Sequence, residues 1–175
     1  SPKSSYSTTH YDPVPTTFYV NDATGLDGNT GGAGDPFKTI QHAINVSTAS
    51  GTIHVAAGLY DDEKLVVDRA LTIQGAGLST TTIDARAISG TGVVVTITIP
   101  SGNVLFDGFT IKNSKDQQIM TANSASSSSV ITVSHNYLDG DGTGSGTFHY
   151  DFGFIAGTLA KIVFTYNTVD NTYNN

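Results

Sequence analysis

The 175-residue chain contains no cysteine, which excludes disulfides and thiolate metal sites and leaves the redox compartment open. No apolar run approaches the ~20 residues of a membrane-spanning helix, so no membrane span is predicted. Charge is scarce as well: 13% of residues are charged, against a usual share of roughly 25%. Cations are the rarest, with two arginines (Arg69, Arg86) and six scattered lysines in a chain of net charge −7. Phosphate binding draws on clustered Lys and Arg, so nucleic acid is excluded as a partner. Ser, Thr, Asn and Gly take the place of the missing charges. A neutral, hydroxyl-rich surface of this kind is common outside cells, and a secreted, extracellular or cell-surface location is expected. The length suits one domain with a continuous core.

What is present is a repeat. VLFDGFTIKN (104–113), ITVSHNYLDG (131–140) and IVFTYNTVDN (162–171) share one pattern, 27 and 31 residues apart. Aligning Phe106, Val133 and Phe164 brings Ile111, Leu138 and Val169 into register. Each copy is two short strand-like runs joined by one residue: Gly108, His135 or Tyr166. A unit this short cannot bury its own apolar face, so copies must stack and share a core. The pattern predicts an all-β solenoid of about five coils.

Residues 1–17, Ser/Thr-rich with Pro2, Pro13 and Pro15, read as an extended N-terminal arm, and 18–175 as the solenoid domain. Phe18-Tyr19-Val20 reads as a first strand, followed by an irregular Gly/Asn/Asp loop over 21–36. Phe37, Ile40, Ala43 and Ile44 then form a helical stripe, with Asp35 as N-cap and Pro36 at the first helical position. This short helix is expected to cap the open end of the solenoid. Strands are predicted at 53–55, 65–67, 71–73, 82–84 and 93–99, and a loop at Ala125–Ser129. The chain opens at Ser1 without initiator Met or signal peptide, which suggests a processed, mature protein.

FYVNDATGLDGNTGGAGDPFKTIQHAI, then GTIHVAAGLYDDEKLVV, LTIQGAG, TTIDA and VLFDGFTIKNS together resemble right-handed parallel β-helix proteins. That superfamily includes pectate lyases, pectin methylesterases and many uncharacterised secreted surface proteins. The resemblance covers about residues 18–171 and implies a cap helix, three faces per coil and inward stacks of like residues. It also implies an internal asparagine ladder at Asn136 and Asn167. Lyases of this fold pair calcium-binding acidic residues with an Arg or Lys base, for which Arg69 and Arg86 are the only arginines; solvated corners are the simpler reading of both. Asp84, Asp107, Gln117 and Gln118 do not match the esterase motif. Asn167-Thr168-Val169-Asp170 has the wrong spacing for a polygalacturonase. No catalytic residue is assigned, and the enzyme question leans towards no.

Asp139 and Asp170 occupy equivalent positions, so stacking places them about one strand spacing apart, ~4.8 Å. Like charges that close splay into water, share a proton or bind a cation. Together with Asp141 in the Gly-rich stretch 139–145 they form a candidate calcium site, since calcium takes several oxygen ligands; the loop with Asp22, Asp27, Asn29 and Asp35 is comparable. No cofactor is required by the sequence. The five histidines do not show zinc spacing, and no Ser-His-Asp arrangement is visible. Asn45-Val46-Ser47 is the sole N-glycosylation sequon.

Phe148, Tyr150, Phe152 and Phe154 alternate along one run, which puts four aromatics on one strand face as core, sugar platform or protein contact. After Val169 the sequence closes with Asp170-Asn171-Thr172-Tyr173-Asn174-Asn175 and no cap follows. The expectation is a bare last rung, covered by a further region or by another chain. The arm, with Tyr6, Tyr11 and Val14, is the candidate donor. These features favour a secreted structural protein that assembles head to tail into a filament or surface layer, a homopolymer. The alternatives are a carbohydrate-active domain, either a polyuronate lyase or hydrolase or a glycan binder, and an adhesin fragment.

Overall fold

The structure, a computed structural model, describes residues 16–61, 64–86, 88, 93–113, 118–139, 150–154 and 160–170. It is mostly β, with one short helix among the described residues. The chain begins with β1 (Thr17–Val20) and α1 (Ile40–Val46), then visits three sheets in strict rotation. The first turn is β2 (Gly51–Val55), β3 (Gly58–Asp61) and β4 (Leu65–Val67). The second is β5 (Leu71–Gly75), β6 (Thr81–Asp84) and β7 (Val95–Ile99). The third is β8 (Asn103–Asp107), β9 (Thr110–Lys112) and β10 (Gln118–Ser124). Then follow β11 (Val130–Ser134), β12 (Tyr137–Asp139) and β13 (Tyr150–Phe154), and finally β14 (Lys161–Thr165) and β15 (Thr168–Asp170).

Every pairing between strands is parallel, and each sheet takes one strand per turn: β1-β2-β5-β8-β11-β14, β3-β6-β9-β12-β15 and β4-β7-β10-β13. This connectivity is compatible with a parallel β-helix. The three repeats stack in the register that their alignment requires, Phe106↔Val133↔Phe164 and Ile111↔Leu138↔Val169. The joining residues Gly108, His135 and Tyr166 all have left-handed backbone, φ 83°, 51° and 56°. A Cβ on Gly108 would lie 3.0 Å from the Gly75 carbonyl oxygen, and one on Gly75 would meet the Gly108 carbonyl, so the close approach adds to the left-handed backbone in favouring glycine at this corner.

The core follows from alternation. Phe18, Ile53, Ile73, Phe106 and Val133 form one buried column, Tyr60, Ile83, Ile111 and Leu138 another, and Leu65, Val95 and Met120 a third. Successive strand residues face opposite sides, so each second residue enters the shared apolar cluster. Burying one such side chain contributes about 1.5–3 kcal/mol.

The N-terminal end is finished by the chain itself. The outer edge of β1 is occupied: Tyr19 N–H donates to the Gly31 carbonyl, and Phe37 N–H donates to the Tyr19 carbonyl, both at 2.9 Å. Ile40, Ala43 and Ile44 of α1, with Phe37, are buried against the first strands, and α1 packs on β1, β2 and β4. The Gln41 amide closes the edge of β4: Val66 N–H donates to its Oε1 at 2.7 Å and its Nε2 donates to the Val66 carbonyl at 3.5 Å.

The helix begins later than expected. Thr39, not Asp35, is the N-cap, and the helix starts at Ile40. Pro36 lies in an extended run whose carbonyl accepts from Leu26 N–H and Asn29 Nδ2, and Phe37 bridges to Val20. Asp35 instead accepts from Thr30 N–H at 2.9 Å. Tertiary pairing of Phe37 with β1 thus overrides the local preference for a Pro-started helix. Strand β1 begins at Thr17, the last residue of the expected arm.

Candidate functional site

The outer face of the first sheet carries a polar column in register: Tyr19, His54, Gln74, Asp107, Ser134 and Thr165. At its N-terminal end a cleft of about 480 Å³ opens between Tyr19, His54 and Gln74 on the strands and Ala33 and Pro36 of the loop. The Tyr19 and His54 rings lie 5.3 Å apart at 32°, and no Lys or Arg lines the cleft. Residue-by-residue reading missed this column, because the three polar residues lie in segments far apart in sequence; only the strand register joins them.

Further along the column, Asp107 organises a node. Ser134 Oγ donates to its Oδ1 at 2.7 Å, and His135 Nδ1 lies 2.8 Å from the same oxygen. Ser134 is buried, while the His135 ring is exposed and stacks on Tyr166 at 5.0 Å and 6°. Both groups bind one carboxylate oxygen, so no relay runs from the hydroxyl through the imidazole to the acid. The node ties one corner to its neighbour.

Behind these corners runs a ladder of amides. Phe109 N–H donates to Asn136 Oδ1, and Asn136 N–H donates to Asn167 Oδ1, both at 2.9 Å. The amide nitrogens reach back: Asn136 Nδ2 donates to the Phe106 carbonyl at 3.2 Å and Asn167 Nδ2 to the Val133 carbonyl at 2.8 Å. Asn136 is fully buried, and a buried amide requires such partners.

The third column of interest is ionic. Asp61, Asp84, Lys112, Asp139 and Asp170 are successive register partners across β3, β6, β9, β12 and β15. Asp84 is buried; burial alone would raise its carboxyl, but the bond from Asn113 Nδ2, the Arg86 backbone N–H and the Arg86 and Lys112 charges hold it below the ordinary value of 3.8. Asp139 and Asp170 are adjacent as the repeat requires. The Tyr137 hydroxyl donates to Asp170 Oδ2 at 2.9 Å. That bond, helped by burial and by the Asp139 and Asp170 charges, pushes the phenol up to about 12. Asp141 lies outside the described residues, and no group of three or more metal-ligating side chains occurs among those described.

The remaining candidates divide. Arg69 is a structural corner: it pairs with Asp68 at 2.7 Å and donates to the Ser47 carbonyl at 2.7 Å, beside the last carbonyls of α1. Arg86 is exposed and sits 3.6 Å from Asp84. In the loop before α1, Asp27 accepts from Thr39 Oγ1 at 2.8 Å and from the Thr39 and Lys38 N–H groups. Asn45 is exposed on α1 with its Oδ1 accepting from Gln41, while the sequon hydroxyl of Ser47 is buried and donates to the Ala43 carbonyl. Tyr150, Phe152 and Phe154 belong to β13, in register with Gln118, Met120 and Ala122 of β10; their side chains, together with Phe148, Tyr6, Tyr11 and Val14, lie outside the described residues.

At the outer rung the columns lose their cover. Ile162 and Phe164 are half-buried and Val169 is 48% exposed, whereas Ile131, Val133 and Leu138 one rung earlier are fully buried. Tyr166 is 79% exposed. Among the described residues β14 and β15 are the outermost strands of their sheets.

Residues 23–174 match the family described as "Protein of unknown function (DUF1565)". No curated protein and no solved structure matches the chain. The match spans most of the chain, from the loop after β1 through the last strand, and the protein therefore belongs to the DUF1565 family.

Proposed function

We propose that the protein is a secreted structural subunit that assembles head to tail into an extracellular filament or surface layer, built on a right-handed parallel β-helix of the pectate lyase-like kind. The observation that supports this reading is the outer rung of β14 and β15, beyond which no described strand pairs. Ile162, Phe164 and Val169 continue columns that are fully buried one rung earlier, yet they meet solvent. An uncovered strand edge with an apolar flank is a template for another strand. Asp139 and Asp170 are the remaining calcium candidates, and Asn45 the glycosylation candidate of a surface protein. Negative-stain microscopy and concentration-dependent light scattering of the full chain test the reading. Rods growing with concentration are expected; monodisperse single particles at high concentration would sink it.

A second reading, a glycan-binding module, is favoured by the cleft at Tyr19, His54 and Gln74. Aromatic and amide groups around a neutral cleft suit a sugar's apolar face and hydroxyls. With no Lys or Arg in the lining, neutral oligosaccharides fit better than polyuronates. Titration calorimetry against both classes separates them. Product absorbance from polygalacturonate with calcium would instead establish a lyase.

A further inference from the structure

We propose that the cleft at Tyr19 and His54 continues over Gly75 and Gly108 to the open face of His135. The resulting trough takes an extended neutral oligosaccharide whose far ring stacks on that imidazole. The inference rests on the glycan-binding reading above and gives the site a length, a direction and a second anchor.

The strand register makes the trough continuous. Gln74, in the cleft lining, is the register partner of Asp107 on the next rung, and His135 Nδ1 lies 2.8 Å from Asp107 Oδ1. The imidazole therefore stands beside the same outer column as Tyr19 and His54. Between cleft and ring the corner carries no side chain. Gly75 lines the cleft, and its backbone approaches Gly108 so closely that a Cβ on Gly75 would collide with the Gly108 carbonyl. Two glycines thus leave a bare shelf one rung short of His135.

The ring is held there against backbone preference. Gly108, His135 and Tyr166 share left-handed φ angles of 83°, 51° and 56°, a conformation that is costly for any residue but glycine. Strain kept at a corner that glycine could fill points to a use for the side chain. One face of the imidazole stacks on Tyr166, 5.0 Å away and 6° from parallel. The other looks along the stack towards Gly108, where the repeat lacks the ring that would continue the series. The His135 side chain is 58% exposed, so a ligand ring has access to that place.

The polar groups set the ligand class. Among the described residues no hydrogen bond engages the Tyr19 hydroxyl, the His54 ring nitrogens or the Gln74 amide. Asp107 binds Ser134 and His135 through Oδ1 and keeps Oδ2 for a further donor. Sugar hydroxyls both donate and accept, and a pyranose face stacks on an aromatic plane. No Lys or Arg lines the cleft and the shelf adds a carboxylate, so uronates and phosphates meet their own sign of charge. Length follows from the rungs. His54 on β2 and His135 just past β11 are three strand spacings apart along the first sheet, roughly 14 Å. Linked pyranoses in an extended chain advance by about one such spacing each, so a disaccharide fills the cleft and a tetrasaccharide reaches the imidazole.

Calorimetric titration of the full chain with β-1,4-linked gluco- and manno-oligosaccharides of two and four units tests this, because their extended chains suit a straight column. In at least one series the tetrasaccharide is expected to bind about fivefold more tightly than the disaccharide. His135→Ala is expected to remove that gain and leave the disaccharide unchanged. His135→Tyr is expected to restore it, since Tyr166 already carries a ring on the same backbone; a purely structural tie to Asp107 would not be restored. Gln74→Ala should weaken both lengths alike. Equal affinity for the two lengths, or tetrasaccharide binding unmoved by His135→Ala, overturns the His135 subsite while the cleft reading stands. Failure of all four ligands to bind overturns both.

Discussion

The first and last described rungs of the strand stack continue the same residue columns but differ in burial. At the N-terminal end Phe18, Tyr60 and Leu65 are as buried as mid-stack residues, because the loop ending at Phe37 pairs with β1, α1 covers the apolar face and Gln41 imitates a strand against β4. At the other end Phe164 is half-buried and Val169 half-exposed although their columns demand burial. A parallel coil has no intrinsic stop; each rung exposes the backbone and side chains that the next would cover. Closure must therefore be encoded separately, and at the N-terminal end about twenty residues of loop and helix (roughly 27–46) supply it.

The sharpest way to break the comparison is to remove the cover. Ile44→Ala is expected to destabilise the fold by about 2–5 kcal/mol, whereas Val169→Ala, already half solvated, should cost under about 1 kcal/mol. Urea unfolding of the two variants, with assembly suppressed by dilution, checks the contrast. Equal losses would mean that the outer rung is covered in solution. Asn136→Ala removes a fully buried amide serving Phe109 and two carbonyls, and should cost about 2–4 kcal/mol. Asn167→Ala, at the edge, should cost less than half as much.

Smaller effects follow from the carboxylates. Asp27 would be raised by burial, but the Thr39 backbone N–H, the Thr39 hydroxyl and the Lys38 N–H outweigh this and hold it below 3.8; Asp84 is lowered as well. A depressed folded value means that the unfolded chain binds the proton more tightly. Stability is therefore present above pH 3.8 and lost as pH falls through the lower folded values. Melting temperatures between pH 5 and pH 2 measure this, and Asp27→Asn should flatten the closed end's share. Smallest of all, Gln41→Ala should cost about 1 kcal/mol while exposing the β4 edge. A second, lateral mode of association in light scattering would show that the amide shields that edge.

The repeat was legible in the sequence because its physics is local. Alternating apolar residues, a corner and a second run dictate strands and register, and Phe106, Val133 and Phe164 stack as their alignment requires. The repeat aligned Asn136 with Asn167, and the family resemblance implied the ladder they form. Strands β3 and β10 were not, since GLYD and QIMTANS carry weaker alternation and are held by their neighbours. The helix start was misplaced because pairing of Phe37 with β1 overrides the preference of Pro36 for a first helical turn.

By itself, then, the order of residues determined that this chain coils, which side chains point inward and where the corners of the repeat fall. Those properties depend on neighbours within a few positions or one repeat away. The tertiary structure alone decided how the N-terminal end is sealed, that Gln41 shields an edge, and that Tyr19, His54 and Gln74 share a cleft. Such outcomes depend on which distant segments compete for one edge, a competition whose result is written in no single stretch of the chain.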